Sequence, residues 1–188
     1  MLKWNGKSRA GILVGEAYYG CNIINVGCAG EVVGTSGGIG TIIGSCYNMQ
    51  QYKWVFQNCY GRANLSSASG YDVGGITRVG LGYAVIEMNN CYFAGTVDKE
   101  YKRTSAFIGS SINAGILSNC FYDKTKFSYS SPGTGLTTEE MKNAENYTGT
   151  NEDGTKAWDF KENDSDTDYT WYIDPNVNDG YPELHFNQ

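Results

Sequence analysis

The chain has 188 residues, of which 40% are apolar, and its formal net charge is −6. This length suits one domain, or one domain with an appendage, and it is long enough to bury a core. The acidic balance excludes nucleic acid as the main partner, because phosphate binding needs a basic stripe. No apolar run reaches the roughly 18 residues of a membrane helix, so no membrane insertion is expected.

The composition changes near the sequence SSPGTG at 130–135. Residues 1–123 carry nine Lys and Arg against seven Asp and Glu, whereas residues 124–188 carry five against thirteen. Of the 25 glycines, 22 precede residue 136. We therefore predict a glycine-rich repeat domain over residues 1–130 and an acidic, aromatic capping segment over residues 131–188.

Along the first domain, four glycine-bounded apolar runs each precede a segment with a cysteine. The runs are AGILVG (10–15), GGIGTIIG (37–44), VGGITRVG (73–80) and TSAFIG (104–109), and the segments are NIINVGCAGEV (22–32), KWVFQNCYGRANL (53–65), VIEMNNCYFAGTV (85–97) and GILSNCFYDKTKF (115–127). Short Ile-, Val-, Thr- and Tyr-rich runs between Gly and Asn predict strands of three to six residues. No helical period appears before residue 136.

A repeat this small cannot bury its apolar side alone, so stacked repeats are expected. The pattern therefore predicts an all-β fold. It is a short right-handed parallel β-helix, a β-solenoid of about four coils, with a C-terminal segment that contains one short helix.

Aligning the segments on cysteine superposes Cys28, Cys59, Cys91 and Cys120 at intervals of 31, 32 and 29. We predict one buried, reduced cysteine ladder, because free Cys behaves as a small hydrophobe. The residues before the last three cysteines (Asn58, Asn90, Asn119) are predicted to form an amide ladder, and those after them (Tyr60, Tyr92, Phe121) an aromatic ladder. The first repeat departs from this pattern, with Gly27 and Ala29 in these places. Stacked coils also meet the Cα separation of a disulfide, so a bond involving Cys21 or Cys46 stays open.

A GGI or GIL run followed by an NCY strand that ends in G-x-V resembles the GLUG-motif repeats. These are Gly-rich repeats of bacterial surface proteins, including some IgA-cleaving peptidases and adhesins of host-associated bacteria. The match spans roughly residues 10–127 and is carried best by Gly75-Ile76, Asn90-Cys91-Tyr92 and Gly95-Thr96-Val97. The sequences GLTTEEMKNAENYTG (135–149) and GYPEL (180–184) are similar to the segment that closes such arrays.

The resemblance implies a cell-surface or secreted location and assigns no catalytic residue. The N-terminal sequence MLKWNGKSRAG lacks the apolar region of a signal peptide. Either the protein is cytoplasmic, or this chain is a fragment of a longer secreted one. The repeat favours the second, so the expected location is extracellular or at the cell surface.

The sequence predicts no metal and no cofactor. His185 is the only histidine and no C-x-x-C pair occurs, which argues against zinc. The acidic run NDSDTD (163–168) is similar to the start of a calcium loop, but Tyr169 and Pro175 replace the Gly and Glu that such a loop requires. An exposed acidic turn is the expected structure there.

Six aromatic residues between the predicted strands are candidate ligand-binding residues, since flat rings with polar tips stack on carbohydrate and protein ligands. They are Tyr18, Tyr19, Tyr47, Tyr52, Trp54 and Tyr71. Alternatively, these rings cover the corners of the coils or dock the tail.

The predicted function is a non-catalytic surface or secreted repeat module: a spacer, an adhesin or a ligand-binding region. No paired acidic motif, H-E-x-x-H or G-x-S-x-G is present, so no catalytic residue is expected in this chain. We predict a monomer with a glycan or host-protein partner. The alternative is a polysaccharide-active β-helix enzyme or an accessory carbohydrate-binding domain.

In the tail, Thr137 and Glu140 have the spacing of a capping box, which predicts a helix from about Thr138 that stops near Gly149. The tail also holds too many aromatic residues for a free acidic segment. We therefore predict that the sequences WDF (158–160) and GYPEL (180–184) pack on the last coil near Cys120 and Phe121, and cap the array.

Overall fold

The computed structural model describes residues 3–6, 9–35, 37–47, 52–68, 72–80, 85–110 and 115–186. The chain is mostly β-strand, and most strand pairs are parallel. In chain order the strands are β1 (Lys3–Gly6), β2 (Val14–Tyr18), β3 (Asn22–Gly34), β4 (Ile43–Tyr47), β5 (Lys53–Ser67), β6 (Val73–Gly74), β7 (Thr77–Val79), β8 (Val85–Asn89), β9 (Tyr92–Phe93), β10 (Thr96–Val97), β11 (Thr104–Ser105), β12 (Ile108–Gly109), β13 (Gly115–Ser118), β14 (Phe121–Asp123), β15 (Thr134–Leu136), β16 (Trp171–Tyr172) and β17 (Glu183–Leu184).

The chain visits three parallel ladders in the same order in each repeat. The first ladder joins Ala10 to Ile39, Ile39 to Val73, and β6 to β11. The second ladder joins β2, β4, β7 and β12. The third is a nine-stranded sheet that contains β1, β3, β5, β9, β14 and β15 in this order, with β8, β10 and β13 beside them. No helix among the described residues is long and apolar enough to span a membrane.

The main core consists of one apolar residue after another from equivalent positions of the repeats. Ile42, Ile76 and Phe107, which backbone hydrogen bonds link from one repeat to the next, are all fully buried. The strand lengths differ from the prediction, because β3 has 13 residues and β5 has 15. Each continues through a bend at an asparagine, Asn25 in β3 and Asn58 in β5, instead of ending within three to six residues.

One buried charge lies at the edge of this core. Asp72 is almost fully buried, and its carboxylate pairs with Arg103 at 3.1 Å and with Arg78 at 3.5 Å. A buried carboxylate needs such partners, because an unpaired charge in the core is costly. Arg78 also donates to Ser45 on the neighbouring strand β4, so Asp72 connects successive repeats.

The predicted helix start and capping box are confirmed. Helix α1 (Thr138–Met141) begins after Thr137, whose hydroxyl accepts from Glu140 N, while the Glu140 side chain accepts from Thr137 N. The helix is shorter than predicted, since Lys142 leaves the helical conformation and residues Ala144–Asn146 form a 3₁₀ helix. Asn143 caps that 3₁₀ helix by accepting from Glu145 N. The helical part of the tail therefore ends at Asn146, before Gly149.

The tail packs along the side of the repeats. Its buried residues Met141, Tyr147, Ala157, Trp158, Trp171, Tyr181 and Leu184 form an apolar cluster with Tyr60, Tyr92, Ala94 and Phe121 of the repeats. We call this set the side cluster. Trp158 lies 5.8 Å from Phe121, ring to ring, and its indole nitrogen donates to Asn119 O at 3.0 Å. The WDF part of the tail therefore packs near Phe121, as predicted.

The GYPEL part packs only partly where predicted: Tyr181 Oη donates to Asp123, two residues after Phe121, but the segment also reaches back across earlier repeats. Tyr92 Oη donates to Pro182 O at 2.6 Å, and Tyr60 Oη donates to the Glu183 carboxylate at 2.9 Å. The end of the sheet is instead covered by β15, which pairs in parallel with β14. The division of the chain at residue 130 stays a prediction, since this sheet and the side cluster both extend across it.

We expect Trp171→Ala to lower the free energy of unfolding by about 3–5 kcal/mol, because it removes a fully buried indole from the side cluster. Phe186→Ala is the matched control. Its ring is 61% exposed, so the change should stay within about 0.5 kcal/mol. Chemical denaturation of both variants measures the difference, and a loss below about 1 kcal/mol for Trp171→Ala would show that the tail is not part of the folded unit.

Candidate functional site

Each repeat bends at an asparagine in the left-handed backbone conformation. Asn25, Asn58, Asn90 and Asn119 have φ between 51° and 55°, a region that Asn tolerates far better than most residues. Their side chains form a chain of hydrogen bonds, in which Asn58 donates to Asn25 at 3.0 Å, Asn90 to Asn58 at 3.4 Å and Asn119 to Asn90 at 3.4 Å. The three predicted ladder residues thus lie together, and a fourth, Asn25, precedes them.

The cysteines after these asparagines point into the main core. Cys59, Cys91 and Cys120 are buried free thiols. Each donates to the carbonyl two residues before it and to a carbonyl of the preceding repeat, at 3.2–3.6 Å. Burial raises the pKa of Cys91 well above that of a free thiol, which keeps it protonated.

Cys28 does not belong to this line, and its placement there was wrong. Val26 is the register partner of Cys59, whereas Cys28 pairs with Gly61. Aligning the first repeat on cysteine shifted it by two residues, which preserves the inward direction of the side chain but not its partner. The correct alignment uses Asn25, and the hydrogen-bonded asparagines are then 33, 32 and 29 residues apart.

The aromatic residues of the third predicted ladder lie under the tail. The rings of Tyr60 and Tyr92 stack at 5.0 Å with an interplanar angle of 9°. Phe121 is the register partner of Tyr92, and its ring packs edge-on against Tyr147 of the tail. In the first repeat Gly27 takes this position, and a side chain there would meet the Tyr60 ring at 2.2 Å. These aromatic residues are covered by the tail, so a ligand cannot reach them.

Four tyrosines form an exposed group at another corner, which we call the tyrosine patch: Tyr18, Tyr19, Tyr47 and Tyr52. The rings of Tyr18 and Tyr47 stack at 4.9 Å, and those of Tyr19 and Tyr52 meet edge-on at 6.1 Å. Tyr18, Tyr19 and Tyr52 are 50–59% exposed. Tyr19 has a φ of 68°, which is unusual for an aromatic residue. The patch therefore presents several ring faces to solvent.

An ion pair between Arg9 and Glu16 orients the stacked rings of Tyr18 and Tyr47. The Arg9 guanidinium lies 5.1 Å from the centre of the Tyr47 ring and donates to Glu16 at 2.7 Å, while Tyr18 Oη donates to the same carboxylate at 2.9 Å. The hydrogen bond from Arg9 lowers the pKa of Glu16. Glu16 thus stays ionised and fixes the Tyr18 ring.

Two of the six candidate aromatics are not part of this patch. Trp54 was wrongly predicted as ligand-binding, because it lies in β5 and is only 1% exposed, within the main core. The strand alternation that places Phe56 inward also places Trp54 inward. Tyr71 lies outside the described residues. Tyr18 and Tyr47 end strands β2 and β4 instead of lying in loops.

A second concave surface lies between the third ladder and the tail, with a volume of about 440 Å³. We call it the Arg62 groove. It is lined by Ala29, Gly30, Arg62, Asn64, Ala94, Thr96, Lys126 and Asp179. Sequence analysis missed it, because its cations and its carboxylate come from distant parts of the chain. A weak signal was present, since Arg62 follows the NCY sequence on the same long strand.

The third candidate surface, which we call the third groove, has a volume of about 530 Å³ and follows the asparagine ladder. It is lined in part by Glu87, Glu152 and Asp153. Glu87 forms an ion pair with Lys53. Asp153 accepts from both the hydroxyl and the backbone amide of Thr155, and these bonds lower its pKa. A carboxyl with a lowered pKa is a poor proton donor at neutral pH. Asp153 is therefore not suited to act as a general acid.

The acidic run of the tail forms turns. Asp166 accepts from the backbone amides of Glu162 and Asp168. Within the described part of the chain, no group of three or more His, Cys, Asp or Glu side chains is placed to hold a metal ion. His185 stacks on Tyr169 with ring centres 4.0 Å apart. A packing role for this histidine agrees with that contact.

Comparison of the chain with family models, curated proteins and solved structures found no match. Functional inference therefore rests on the geometry of the patch and the grooves.

We expect Asn90→Ala to lower the free energy of unfolding by about 2–4 kcal/mol, because it forces Ala into the left-handed region and removes the hydrogen bonds to Asn58 and Asn151. Asn90→Gly removes the same bonds without the backbone cost, so its loss should be about 1 kcal/mol smaller. Urea denaturation compares the two, and equal losses would contradict a backbone role for Asn90.

We expect a thiol reagent to label one cysteine of the native protein quickly. Cys21 is exposed, whereas the other five are buried. Burial raises the pKa of Cys46 to about 12 and that of Cys28 to about 11, so very little reactive thiolate forms at these sites. Mass spectrometry of the labelled native protein counts the modified sites, and fast labelling of Cys59, Cys91 or Cys120 would be inconsistent with their burial. Labelling in denaturant, where all six should react, is the control.

Proposed function

We propose that residues 1–130 form a short right-handed parallel β-helix of about four coils, and that the tail is its side cover. Three ladders visited in one order support this fold, as does the recurrence of a left-handed asparagine every 29 to 33 residues. A right-handed sense follows the strong preference of parallel crossover connections. The GLUG-like sequence pattern agrees with the proposal.

We propose further that the chain is a non-catalytic, monomeric ligand-binding module of a secreted or cell-surface protein. The observation that carries this proposal is the tyrosine patch. In the repeats most other aromatic rings are buried, yet Tyr18, Tyr19 and Tyr52 stay at least half exposed and are oriented by stacking and by Arg9. Exposed, preoriented tyrosines bind with little loss of side-chain entropy.

The ligand class we propose for the patch is a neutral glycan. The patch presents tyrosine rings with hydroxyl tips, which suit the apolar faces and the hydroxyls of sugar rings. The single strong charge pair of the patch, Arg9 with Glu16, is internally neutralised. A host glycoprotein that displays such a glycan is the corresponding macromolecular partner. The alternative of a polysaccharide-active enzyme is less favoured, because Glu87 and Asp153 in the third groove are engaged with other groups.

We expect hits on a glycan array for the wild-type chain that weaken by roughly 3–10-fold in each of Tyr18→Ala and Tyr52→Ala, the effect of losing one ring contact. Phe186→Ala is the matched control, since it removes an exposed ring outside the patch. A blank array would favour a spacer. Hits that survive both tyrosine substitutions would place binding elsewhere.

A further inference from the structure

Three cations surround one ring at the Arg62 groove. The Arg62 guanidinium lies 4.7 Å from the centre of the Tyr181 ring, the Lys126 ammonium lies 4.7 Å from it, and the Lys142 ammonium lies 5.5 Å from it. Arg62 and Lys126 come from the repeats, whereas Lys142 comes from the tail, residues 131–188, which carries thirteen acids and only three Lys.

The nearby carboxylates do not neutralise these cations fully. Asp123 is buried and accepts hydrogen bonds from Tyr181 Oη at 2.6 Å and Thr138 Oγ1 at 2.7 Å. Asp179 pairs with Arg62. In the groove lining itself, the two cations Arg62 and Lys126 against the one carboxylate of Asp179 leave a net charge of +1. Lys126 has no ion pair among the described residues, and partial burial together with repulsion from Arg62 lowers its pKa.

The Asp179 carboxylate can be displaced. Its side chain is 80% exposed, although Arg62 itself is only 10% exposed. Asn178 and Asp179 both have positive φ, near 50°, so the turn that carries Asp179 is held by its contacts with Arg62. The Asp179 carboxylate therefore occupies the position at the rim of the groove where the carboxylate of a ligand would contact Arg62.

The rest of the lining suits hydroxyl groups. Thr96 Oγ1 donates to Asn64 Oδ1 at 2.8 Å, which leaves the Asn64 amide nitrogen without a hydrogen-bond partner among the described residues. The other lining residues are the small Ala29, Gly30 and Ala94. They provide a floor of small side chains, and none of the described lining residues is aromatic, so a nucleobase finds no ring there to stack on. A volume of about 440 Å³ lies within the usual range of small-ligand pockets.

We propose that the Arg62 groove binds an acidic sugar that carries a single carboxylate, of the uronic acid class. The carboxylate contacts Lys126 and Arg62, and the sugar hydroxyls bond to Asn64 and Thr96. A monoanion matches the net charge of +1, whereas a phosphate dianion exceeds it. A peptide carboxylate would leave the amide and hydroxyl partners unused. The groove is a second site, separate from the tyrosine patch, so the two proposals succeed or fail independently.

The test is calorimetric titration of the full chain with the methyl glycoside of galacturonic acid, which carries one carboxylate, at low ionic strength. We expect saturable binding of one ligand per chain, weakened by salt. The methyl ester of the same glycoside lacks the negative charge and should bind about tenfold more weakly or not at all. Inorganic phosphate and triglutamate are the two probes for a general anion site and for a peptide site.

Two substitutions in the groove should act in opposite directions. Lys126→Gln removes the unpaired cation and should weaken binding about tenfold. Asp179→Asn removes the competing carboxylate, and Asn tolerates the same positive φ, so it should strengthen binding by a few-fold. Lys99→Gln is the matched control, because it changes the net charge equally at an exposed position outside the groove and should leave binding unchanged.

Each outcome decides the proposal. Absence of binding, or equal binding by wild type and Lys126→Gln, would overturn the site. Equal affinity for phosphate or triglutamate would overturn the sugar assignment. Tyr18→Ala should bind the galacturonic acid glycoside as the wild type does, and loss of binding in that variant would transfer the ligand to the tyrosine patch.

Discussion

The structure depends on a backbone constraint, the left-handed bend that recurs once in each repeat. A residue with a side chain normally avoids this region at a cost of about 1–2 kcal/mol. Asn reduces that cost, and here its amide also donates to the asparagine of the preceding repeat. Asn thus both tolerates the left-handed bend and links successive repeats by a hydrogen bond. In the last two repeats the next strand, β9 or β14, begins two residues after the bend, whereas β3 and β5 continue through it, and all of them lie in the third ladder.

The two residues after the bend then divide between two clusters. Neighbouring side chains of a strand point to opposite faces, so Cys59 enters the main core while Tyr60 enters the side cluster. The same holds for Cys91 with Tyr92, and for Cys120 with Phe121. The repeated NCY and NCF sequences therefore combine a corner, a small core residue and a surface for the tail. This explains why the tail lies along the side of the repeats, where the aromatic face is, while β15 covers the end of the sheet.

Features set by local interactions were predictable from the sequence, and those set by tertiary contacts were less so. The capping box at Thr137 and Glu140 needs only three residues of spacing, and the helix start followed from it. The position of Cys28 could not be derived from residue identity, because register is fixed by the backbone bend at Asn25. Trp54 illustrates a different limit. An indole beside Lys53 suggests a surface, and only the strand alternation and the stacked repeats bury it. The Arg62 groove could not be predicted from the sequence, because Arg62 and Asp179, which both line it, are 117 residues apart.

The uneven charge of the chain also acquires a structural meaning. The acids of residues 159–168 lie on exposed turns, whereas Lys126 and Lys142 turn inward around Tyr181. The exposed acids of this part of the tail therefore repel an anion, whereas Lys126 and Arg62 at the groove attract one. At physiological salt the repulsion is screened beyond about 8 Å, so the approach is not prevented, but long-range steering cannot assist it. Recognition of an anion at this surface must depend on short-range contacts with Lys126 and Arg62, and such contacts can discriminate between carboxylates by their neighbouring hydroxyls.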